Sequence, residues 1–326
     1  MEYCGIIEYI QCTEKELSDM NCPPVMICGF NRPDCLKQVF DCVREAKPSQ
    51  LFLVLDAPRD GRPDDVEKNN ACKEIFKNID WPCDVKRNYA EHNMGCRKRM
   101  ASGITWTFEH AETAIILEDD CVPDPTFFPF CAEMLDRYAD DMRVGSIVGM
   151  IEHPYVINPE GCSYYFDRFP GSCGWATWKR AWKRFGVCAS RWAELSDGEF
   201  LEAIFRDKAQ IKTICGWFDD TCSGRNNSWA TLWWLTNITE SFLTIHPTVN
   251  LITNVGYEGA HNVGKTLGVH DIKLESMKFP LVHPNLVMPS ARNEAIMRSR
   301  YAQSSLLKRI VNKFLRVTRL NVKGIS

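Results

Sequence analysis

The chain has 326 residues, of which 45% are apolar and 25% are charged, a composition that excludes a wholly disordered or fibrous protein. Lys and Arg number 39 against 42 Asp and Glu, which gives a formal net charge of −3. This balance argues against nucleic acid as a partner, because nucleic-acid-binding domains present a basic surface. At roughly 150 residues per domain, the length fits one large domain or two ordinary ones.

Targeting signals and cysteine usage point to a cytoplasmic protein. No apolar run reaches the ~18 residues of a membrane span, and residues 1–21 lack the basic and apolar regions of a signal peptide. None of the 16 Cys forms a C-x-x-C pair, since the closest two, Cys22 and Cys28, are six positions apart. We therefore expect most cysteines to be buried, reduced thiols rather than disulfides or zinc ligands.

Short apolar runs alternate with stretches of helical periodicity in the first third of the chain. The apolar runs cover residues 25–28, 51–55 and 114–117, and residues 85–89 are a weaker strand candidate. The stretches with apolar residues every three or four positions cover 36–43, 72–79 and 100–108. Strands without polar alternation, separated by amphipathic helices, predict an α/β fold with a mostly parallel sheet that helices flank on both faces.

The chain then continues with one more helix and strand and becomes less regular. Asp124-Pro125 is a typical helix start, because proline is favoured at the first helical position, and 127–138 carries an apolar stripe of helical period. Residues 144–148 predict another strand. The region 155–260 is rich in Trp, Gly, Asn and Ser, which indicates an irregular, aromatic-rich half of the fold.

We expect one domain over residues 24–290, because no internal repeat or Gly/Ser linker separates its halves, 24–150 and 151–290. The tail, 291–326, differs: residues 300–326 contain no acidic residue and carry an apolar stripe of helical period beside several Lys and Arg. This pattern predicts an amphipathic helix that binds an anionic membrane surface. The protein would then be peripheral at the inner face of the membrane. An ordinary packed terminal helix is the alternative.

Three of the predicted strands end in side chains that can bind a ligand. Asn31-Arg32 follows the first strand, Asp56 the second and Glu118-Asp119-Asp120 the fourth. In such sheets, ligands bind beyond the carboxyl ends of the strands. Adjacent carboxylates at the tip of a buried strand are costly without a cation, and Mg²⁺ or Mn²⁺ prefers oxygen ligands. The alternative is a solvated acidic turn.

Basic groups for a phosphate-bearing ligand are also available. Arg32 follows the first strand, and Arg97-Lys98-Arg99 opens the third predicted helix just after Asn93-x-Gly95, where free N–H groups attract anions. A solvated helix face is the alternative for these cations. Asp56 either accepts an N–H of a nucleobase or merely starts the turn Asp56-Ala57-Pro58.

Several segments resemble known glycosyltransferases. Residues 114–128, AIILEDDCVPDPTFF, are similar to the metal-binding segment of N-acetylglucosaminyltransferase I-like enzymes, and 169–175, FPGSCGW, to their acceptor-side loop. Residues 24–34, which end in GFNRPD, resemble the opening strand of bacterial family-two-type glycosyltransferases. Residues 250–261 resemble the end of the same catalytic domain, so the likeness extends from about 24 to 290.

The resemblance implies a GT-A fold, a nucleotide-diphosphate sugar donor (a UDP-sugar is favoured), an Mn²⁺ or Mg²⁺ ion and a glycan or lipid-linked glycan acceptor. Residues 24–150 would bind the donor and metal, and 151–290 the acceptor. Asp120 would be the direct metal ligand. The residues assigned to donor binding are Phe30, Asn31, Arg32, Asp56, Asn93, Gly95, Arg97, Glu118 and Asp119. Those assigned to the acceptor side are Gly174, Trp175, Trp229 and His261.

The chain departs from the resemblance at the catalytic base. Related sequences carry an acidic residue after the Trp of a Ser-Trp pair, whereas Ala230 follows Ser228-Trp229 here. An inverting transfer needs a base opposite the leaving group. Asp220, beside Asp219, is the candidate. Glu258 and His261 are the substitutes, although His261 could instead contact the phosphates. The alternative interpretation of Asp219-Asp220 is a solvated turn.

Other functions remain open at this point. Ala230 favours a non-catalytic protein that binds nucleotide sugars or glycans on a decayed transferase scaffold. A sugar-1-phosphate nucleotidylyltransferase uses a similar sheet but carries a Gly-rich basic loop after its first strand, unlike residues 29–32, GFNR. Residues 259–266 match the phosphate-binding P-loop pattern, but the sequence after them does not predict the helix that this pattern requires.

Overall fold

A computed structural model describes residues 22–153, 156, 158, 161–256 and 272–301 of the chain. The candidate residues Glu258 and His261, the P-loop-like segment 259–266 and the tail beyond Tyr301 lie outside the described residues. The predictions made for them therefore stay predictions.

The described elements alternate between strands and helices up to residue 148. The strands are β1 (Val25–Gly29), β2 (Gln50–Leu55), β3 (Asp84–Tyr89), β4 (Thr113–Glu118), β5 (Cys121–Pro123), β6 (Val144–Val148), β7 (Tyr164–Asp167), β8 (Trp175–Trp178), β9 (Leu243–Pro247) and β10 (Ile252–Asn254). The helices are α1 (Pro33–Ala46), α2 (Pro63–Ile75), α3 (Cys96–His110), α4 (Phe127–Arg137), α5 (Lys179–Trp182), α6 (Trp192–Leu195), α7 (Lys208–Cys222), α8 (Trp229–Thr239) and α9 (Ala291–Tyr301). Short 3₁₀ turns lie at Cys188–Arg191 and Glu199–Leu201.

The strands β3-β2-β1-β4-β8-β6-β9-β7 form one mixed sheet in that order. Its first four strands are parallel: Val25 of β1 is level with Leu51 of β2 and with Ile115 of β4. β8 then enters antiparallel between β4 and β6, and β7 is antiparallel to β9. The predicted α/β class, with a large, mostly parallel sheet flanked by helices, is confirmed.

Both faces of the sheet are buried, which explains why β1, β2 and β4 are continuously apolar. Because successive side chains of a strand point to opposite faces, Val25 and Ile27 pack in the cluster that contains α1 and α4. Met26 packs in the opposite cluster, which contains Met100 of α3 and Trp229 of α8. Residues before and after position 150 thus contribute to the same buried clusters.

β8 places a tryptophan cluster against the centre of the sheet. Trp175 is level with Ile116 of β4 and is 0% exposed. Its ring stacks on that of Trp229, with centroids 5.7 Å apart, and also packs against Trp233 and Trp182. Aromatic burial of this extent stabilises the contact between the irregular half and the parallel strands.

A small antiparallel sheet joins β5 to β10, which places the segment after residue 250 beside the end of β4. Asn254 is level with Cys121, and Ile252 with Pro123. The backbone N–H of Val255 donates to the carbonyl of Asp120, 2.9 Å away. Residues far apart in sequence therefore meet at the acidic strand end.

The cysteines follow the prediction only in part. All 14 cysteines in the described residues are free thiols, but more of them are half-buried than buried, and Cys96 is exposed. No helix among these residues has the length and apolar composition needed to cross a bilayer.

A buried ion pair makes stability depend on pH. Nε2 of His246 lies 2.8 Å from Oδ1 of Asp167, and both side chains are buried. Burial lowers the pKa of His246, but the charge and hydrogen bond of Asp167 outweigh burial, so the net pKa lies above the usual 6.5.

Because this pKa is raised in the folded state, the stabilisation is fully present below about pH 6.5 and is lost as the pH rises through the folded-state pKa of His246. Urea unfolding across a pH series should show this fall in the free energy of unfolding. The fall should vanish in His246→Gln and persist in the control His92→Gln, whose side chain is exposed. An unchanged profile in His246→Gln would contradict the assignment.

Candidate active site

Two of the predicted strand ends meet at the acidic tip of β4. Nη1 of Arg32, which follows β1, lies 2.8 Å from Oδ2 of Asp120, and Nη2 of the same guanidinium pairs with Asp119. The backbone N–H of Phe30 donates to Oδ2 of Asp119 at 3.3 Å. Asp119 and Asp120 are 2% and 8% exposed. One guanidinium thus holds two neighbouring carboxylates at the edge of the sheet.

Negative charge in this cluster exceeds what Arg32 can balance. Burial, and then repulsion from Asp120 and Asp119, raises the pKa of Glu118 to about 8. Burial also raises the pKa of Asp119 to about 6, although Arg32 acts to lower it. Burial lowers the pKa of Arg32, but the charges and hydrogen bonds of Asp119 and Asp120 together raise it by more. The net pKa of Arg32 therefore lies above its usual value. Asp119 and Asp120 thus share one guanidinium, and the carboxyl group of Glu118 adds to the negative charge beside them.

This donor set suits a divalent cation that prefers oxygen. Carboxylate oxygens are the ligands that Mg²⁺ and Mn²⁺ favour, and a further positive charge would relieve the repulsion that raises the pKa of Glu118. No group of three or more metal-binding side chains forms a cage among the described residues.

Gly256, which is not among the predicted site residues, lies against the Asp120 carboxylate and the Arg32 guanidinium. A Cβ atom at this position would lie 2.2 Å from Oδ2 of Asp120 and 2.6 Å from Nη1 of Arg32. No sequence signal marks this contact, because the antiparallel pairing of β5 with β10 creates it. Only a residue without a side chain leaves the carboxylate and the guanidinium in place.

Asp56 organises the loop that precedes α3. Its carboxylate accepts backbone N–H bonds from Ala57, Met94 and Gly95, each at 2.9 Å. The side-chain amide of Asn93 donates to it at 3.3 Å and to the carbonyl of Ala57 at 2.7 Å. Asp56 thus fixes the N-terminus of α3, while Gly95 adopts a positive φ of 76°.

Asn31 connects the end of β1 to α2. Its amide donates to Oδ1 of Asp65 at 2.6 Å, and Asp65 also pairs with Arg59. The hydrogen bond from Arg59 holds the pKa of Asp65 well below its usual range. The guanidinium of Arg59 lies 5.5 Å from the centre of the Phe30 ring. These contacts fix the loop that carries Arg32.

Two of the three basic residues at the start of α3, Arg97 and Arg99, bind other parts of the protein and not open solvent. Nη1 of Arg97 donates to the carbonyl of Thr221 at 2.6 Å, so it attaches α3 to the end of α7. Arg99 is 4% exposed and donates to Oδ1 of Asn88 at 3.0 Å. The prediction that Arg99 is available to a phosphate is wrong, because its guanidinium is buried against the end of β3.

Asp219 and Asp220, the candidates for the catalytic base, lie in the last turn of α7. Both side chains are more than half exposed. Arg225 pairs with both: Nη2 lies 2.5 Å from Oδ2 of Asp219, and Nε lies 2.7 Å from Oδ1 of Asp220. Trp192 also donates to Asp219, at 3.3 Å. Both carboxylates therefore pair with Arg225, a cation that does not belong to the acidic tip of β4.

Two predicted acceptor-side rings are core residues. Trp175 and Trp229 are 0% and 2% exposed and stack on each other, so neither offers a ring face to a sugar. Gly174 has a φ of 61°, and a Cβ there would lie 2.5 Å from Cδ1 of Ile252. A sequence cannot separate a stacking platform from a packed core ring, since both use tryptophan.

A cavity of about 150 Å³ lies between the loop 170–172 and the first turns of α8. Its lining residues are Glu152, Pro170, Gly171, Ser172, Ala230, Thr231, Trp233 and Trp234. The next residue after Ser172 is Cys173, whose Sγ lies 3.1 Å from Sγ of Cys121. Cys121 follows Asp120 directly, so the segment after Ser172 contacts the segment that carries the acidic tip at these two sulfur atoms.

Comparisons with known proteins give distant structural similarity. No protein-family model and no curated protein matches the chain. Among solved structures, the mannosyltransferase PcManGT from Pyrobaculum calidifontis, in complex with GDP-Man and Mn²⁺, has 13% identity and a TM-score of 0.35 and covers 66% of this chain and 70% of its own. A UDP-glucose pyrophosphorylase complexed with UDP-glucose has 11% identity and a TM-score of 0.31, covering 50% of this chain and 79% of its own.

A third similar structure is 4-diphosphocytidyl-2C-methyl-D-erythritol synthase from Anaerococcus prevotii. It has 9% identity and a TM-score of 0.31, covering 88% of this chain and 99% of its own. Likenesses this distant identify no family and decide no activity. The function is therefore argued from the site itself.

Proposed function

We propose that the chain is a glycosyltransferase that moves a sugar from a nucleotide-diphosphate donor, a UDP-sugar by preference, to a glycan or lipid-linked glycan. The observation that carries the proposal is the acidic tip of β4, where Asp119 and Asp120 share the guanidinium of Arg32 and Glu118 adds a third carboxyl group beside them. This excess of negative charge lies at the carboxyl edge of parallel strands, where such sheets bind ligands.

Each residue of the tip has a role in this proposal. Asp120 would hold Mn²⁺ or Mg²⁺, while Asp119 and Glu118 would contact the ribose or the sugar. When bound, the ion would supply positive charge against the departing diphosphate. Arg32 would bind phosphate oxygens as a second cation. Asp56 would keep the N-terminus of α3 in place, where free N–H groups attract an anion.

The cavity lined by Ser172, Thr231 and Trp234 supports a transferase over a nucleotidylyltransferase, because it offers a second binding place that an acceptor could occupy. Ala230, which lines it, favours the second candidate, a non-catalytic protein that binds nucleotide sugars or glycans. The inverting outcome and Asp220 as base stay predictions.

A panel of nucleotide sugars with Mn²⁺ tests the proposal. Binding is measured by calorimetry, and turnover by release of the nucleoside diphosphate in the presence of methyl glycosides. We expect one donor to bind and to be turned over. Binding without turnover would favour the non-catalytic candidate, and absence of binding by any donor would refute both.

The close approach of Gly256 gives a sharper test of the same site. A Cβ in Gly256→Ala must displace the Asp120 carboxylate and the Arg32 guanidinium, so binding of UDP with Mn²⁺ should weaken. The free energy of unfolding should fall by about 1–3 kcal/mol, the usual cost of overpacking. Gly216→Ala is the matched control, because nothing lies within 4 Å of its Cβ position. Unchanged UDP affinity in Gly256→Ala would place the ligand elsewhere.

We also propose that the tail 300–326 binds an anionic membrane surface, on the basis of its basic, amphipathic sequence. Deletion of these residues should release the chain from vesicles that contain phosphatidylserine. Vesicle binding that persists after the deletion would contradict this.

A further inference from the structure

We propose that Cys121 and Cys173 form a reversible disulfide when a peroxide oxidises them, and that this bond inhibits the site at the tip of β4. The inhibition rests on the proposed transferase function, whereas formation of the bond does not. The two Sγ atoms lie 3.1 Å apart, although both residues are free thiols. Even carbon atoms in non-bonded contact lie ~3.5–4.0 Å apart, so these larger atoms are already in close contact.

Little movement separates this contact from a covalent bond. A disulfide has an S–S length of about 2.05 Å, so the two sulfur atoms need to approach each other by about 1 Å. Cys121 lies on β5 and Cys173 on the loop before β8, 52 positions away in the chain. The folded backbone, and not proximity in the sequence, therefore makes the pair.

The two thiols differ in their access to an oxidant. Cys121 is 1% exposed, whereas Cys173 is half-buried. An oxidant in solution therefore reaches Cys173 first, and Cys121 is placed to react with the oxidised sulfur. An accessible cysteine with a second cysteine beside it is a common arrangement in redox sensors. Such pairs also occur in reducing compartments, where their disulfides are transient.

Cys121 is directly connected to Asp120, the candidate metal ligand. It follows Asp120 in the chain, and its thiol donates to Oδ1 of that carboxylate, with the sulfur 3.5 Å from the oxygen. A disulfide has no S–H group, so Asp120 would lose this hydrogen bond. A shift of the Cys121 sulfur towards Cys173 would also pull on the backbone that carries Asp120.

Cys173 is connected to the same site through Asn254. Nδ2 of Asn254 donates to Sγ of Cys173 at 3.6 Å, and Oδ1 of the same amide accepts the backbone N–H of Gly256 at 2.9 Å. Gly256 in turn lies against the carboxylate of Asp120 and the guanidinium of Arg32. A shift of the Cys173 sulfur would therefore reach both charged groups through a single amide.

The backbone around both cysteines is held in place. Cys121 is level with Asn254 in the pairing of β5 with β10. After Cys173, the carbonyl of Gly174 accepts the N–H of Gly149 at 2.8 Å, and a Cβ at Gly174 would lie 2.5 Å from a side chain of β10. We therefore expect the acidic tip to take up part of the movement. A displacement of about 1 Å in an active site can cost about 10²-fold in rate.

The oxidation balances with hydrogen peroxide as the oxidant. The sulfur of Cys173 attacks one peroxide oxygen, the O–O bond breaks, and Cys173 becomes a sulfenic acid while one water leaves. The sulfur of Cys121 then forms the S–S bond as the S–O bond breaks, and the thiol proton of Cys121 leaves with the hydroxyl group as a second water. The pair loses two electrons in total, and a dithiol reductant restores both thiols by exchange.

The test treats the reduced full chain with hydrogen peroxide, removes the peroxide and blocks the remaining thiols. Mass spectrometry of proteolytic peptides should show a cross-link between the peptides that contain Cys121 and Cys173, with the loss of two hydrogen atoms. UDP release from UDP-N-acetylglucosamine or UDP-glucose with Mn²⁺ should fall by about 10–10²-fold. Treatment of an unblocked sample with a dithiol should restore the rate.

Two variants separate the disulfide from other oxidation, each compared with and without peroxide. UDP release by Cys173→Ser should no longer respond to peroxide, and its hydroxyl can still accept the hydrogen bond of Asn254. Cys121→Ser, whose hydroxyl can still donate to Asp120, should be equally insensitive and serves as the second variant if Cys173→Ser does not fold. Cys42→Ser, in α1, is the matched control and should respond as the native chain does.

Either of two results would overturn the inference: an oxidised native chain without the cross-link, or a cross-linked chain that releases UDP as fast as the reduced chain. A reduced chain that releases no UDP from either donor would refute turnover, and the inhibition is then judged by calorimetric affinity for UDP with Mn²⁺, which the cross-link should lower by about tenfold or more. A reduced chain that does not bind UDP would refute the proposed function and the inhibition together, while the peptide masses still decide whether the disulfide forms.

Discussion

Replacement of Asp120 by alanine should lower UDP release from the donor by about 10³-fold, the size of loss seen when one electrostatic contact to a transition state is removed. The carboxylate of Asp120, at the tip of β4, pairs with Arg32 and lies against Gly256, while its backbone carbonyl accepts a hydrogen bond from Val255. The fold should persist, because Arg32 keeps its pair with Asp119. The loss would then report on the site and not on unfolding.

The measurement compares UDP release by Asp120→Ala and by the native chain at several Mn²⁺ concentrations. Asp136→Ala, an exposed substitution in α4, is the control and should leave the rate unchanged. Because Asp120 is the proposed ligand of the metal ion, removal of the ion by excess EDTA should reduce the rate of the native chain to that of Asp120→Ala. A variant as active as the native chain would show that the tip of β4 does not bind the donor.

Replacement of Asp56 by alanine should lower the free energy of unfolding by about 2–3 kcal/mol, because backbone N–H groups that its carboxylate satisfies would lose their acceptor. The three N–H groups belong to Ala57, Met94 and Gly95. Asp56→Asn, which keeps the shape and one acceptor oxygen, should cost less. Hydrogen exchange at Met94 and Gly95 should accelerate in both variants.

Urea unfolding measures the change in the free energy of unfolding. Asp60→Ala, at an exposed position four residues after Asp56, is the control. The opposite result would also be informative. A variant with native stability and native exchange at Gly95, but without affinity for UDP, would show that Asp56 binds the nucleotide directly, as the sequence analysis expected.

The parallel half of the fold could be predicted because its signals are local. Strands buried on both faces are apolar throughout, and the predicted runs 25–28 and 114–117 agree with Val25–Gly29 and Thr113–Glu118 to within one residue at each end. The helical stripe over 72–79 was less accurate, since α2 ends at Ile75. The antiparallel entry of β8 between β4 and β6 could not be predicted, because strand pairing is not encoded in the periodicity of one segment.

The contacts within the candidate site could be predicted only in part. The carboxylates of residues 118–120 could be found because they end a buried strand, where charge needs a partner. The roles of Asp56 and Arg99 could not, because their partners, the loop 93–95 and Asn88, are defined only by the folded backbone. For the same reason Gly256 gave no signal: it lies against Asp120 and Arg32, which are more than 50 positions away in the sequence.

The most direct measurement is a crystal of the full chain soaked with Mn²⁺ and UDP, with anomalous diffraction recorded near the manganese edge. We expect an anomalous peak within bonding distance of the Asp120 carboxylate, shared with the diphosphate of UDP. Bound UDP without manganese at Asp120, or manganese that binds at a different set of residues, would contradict it.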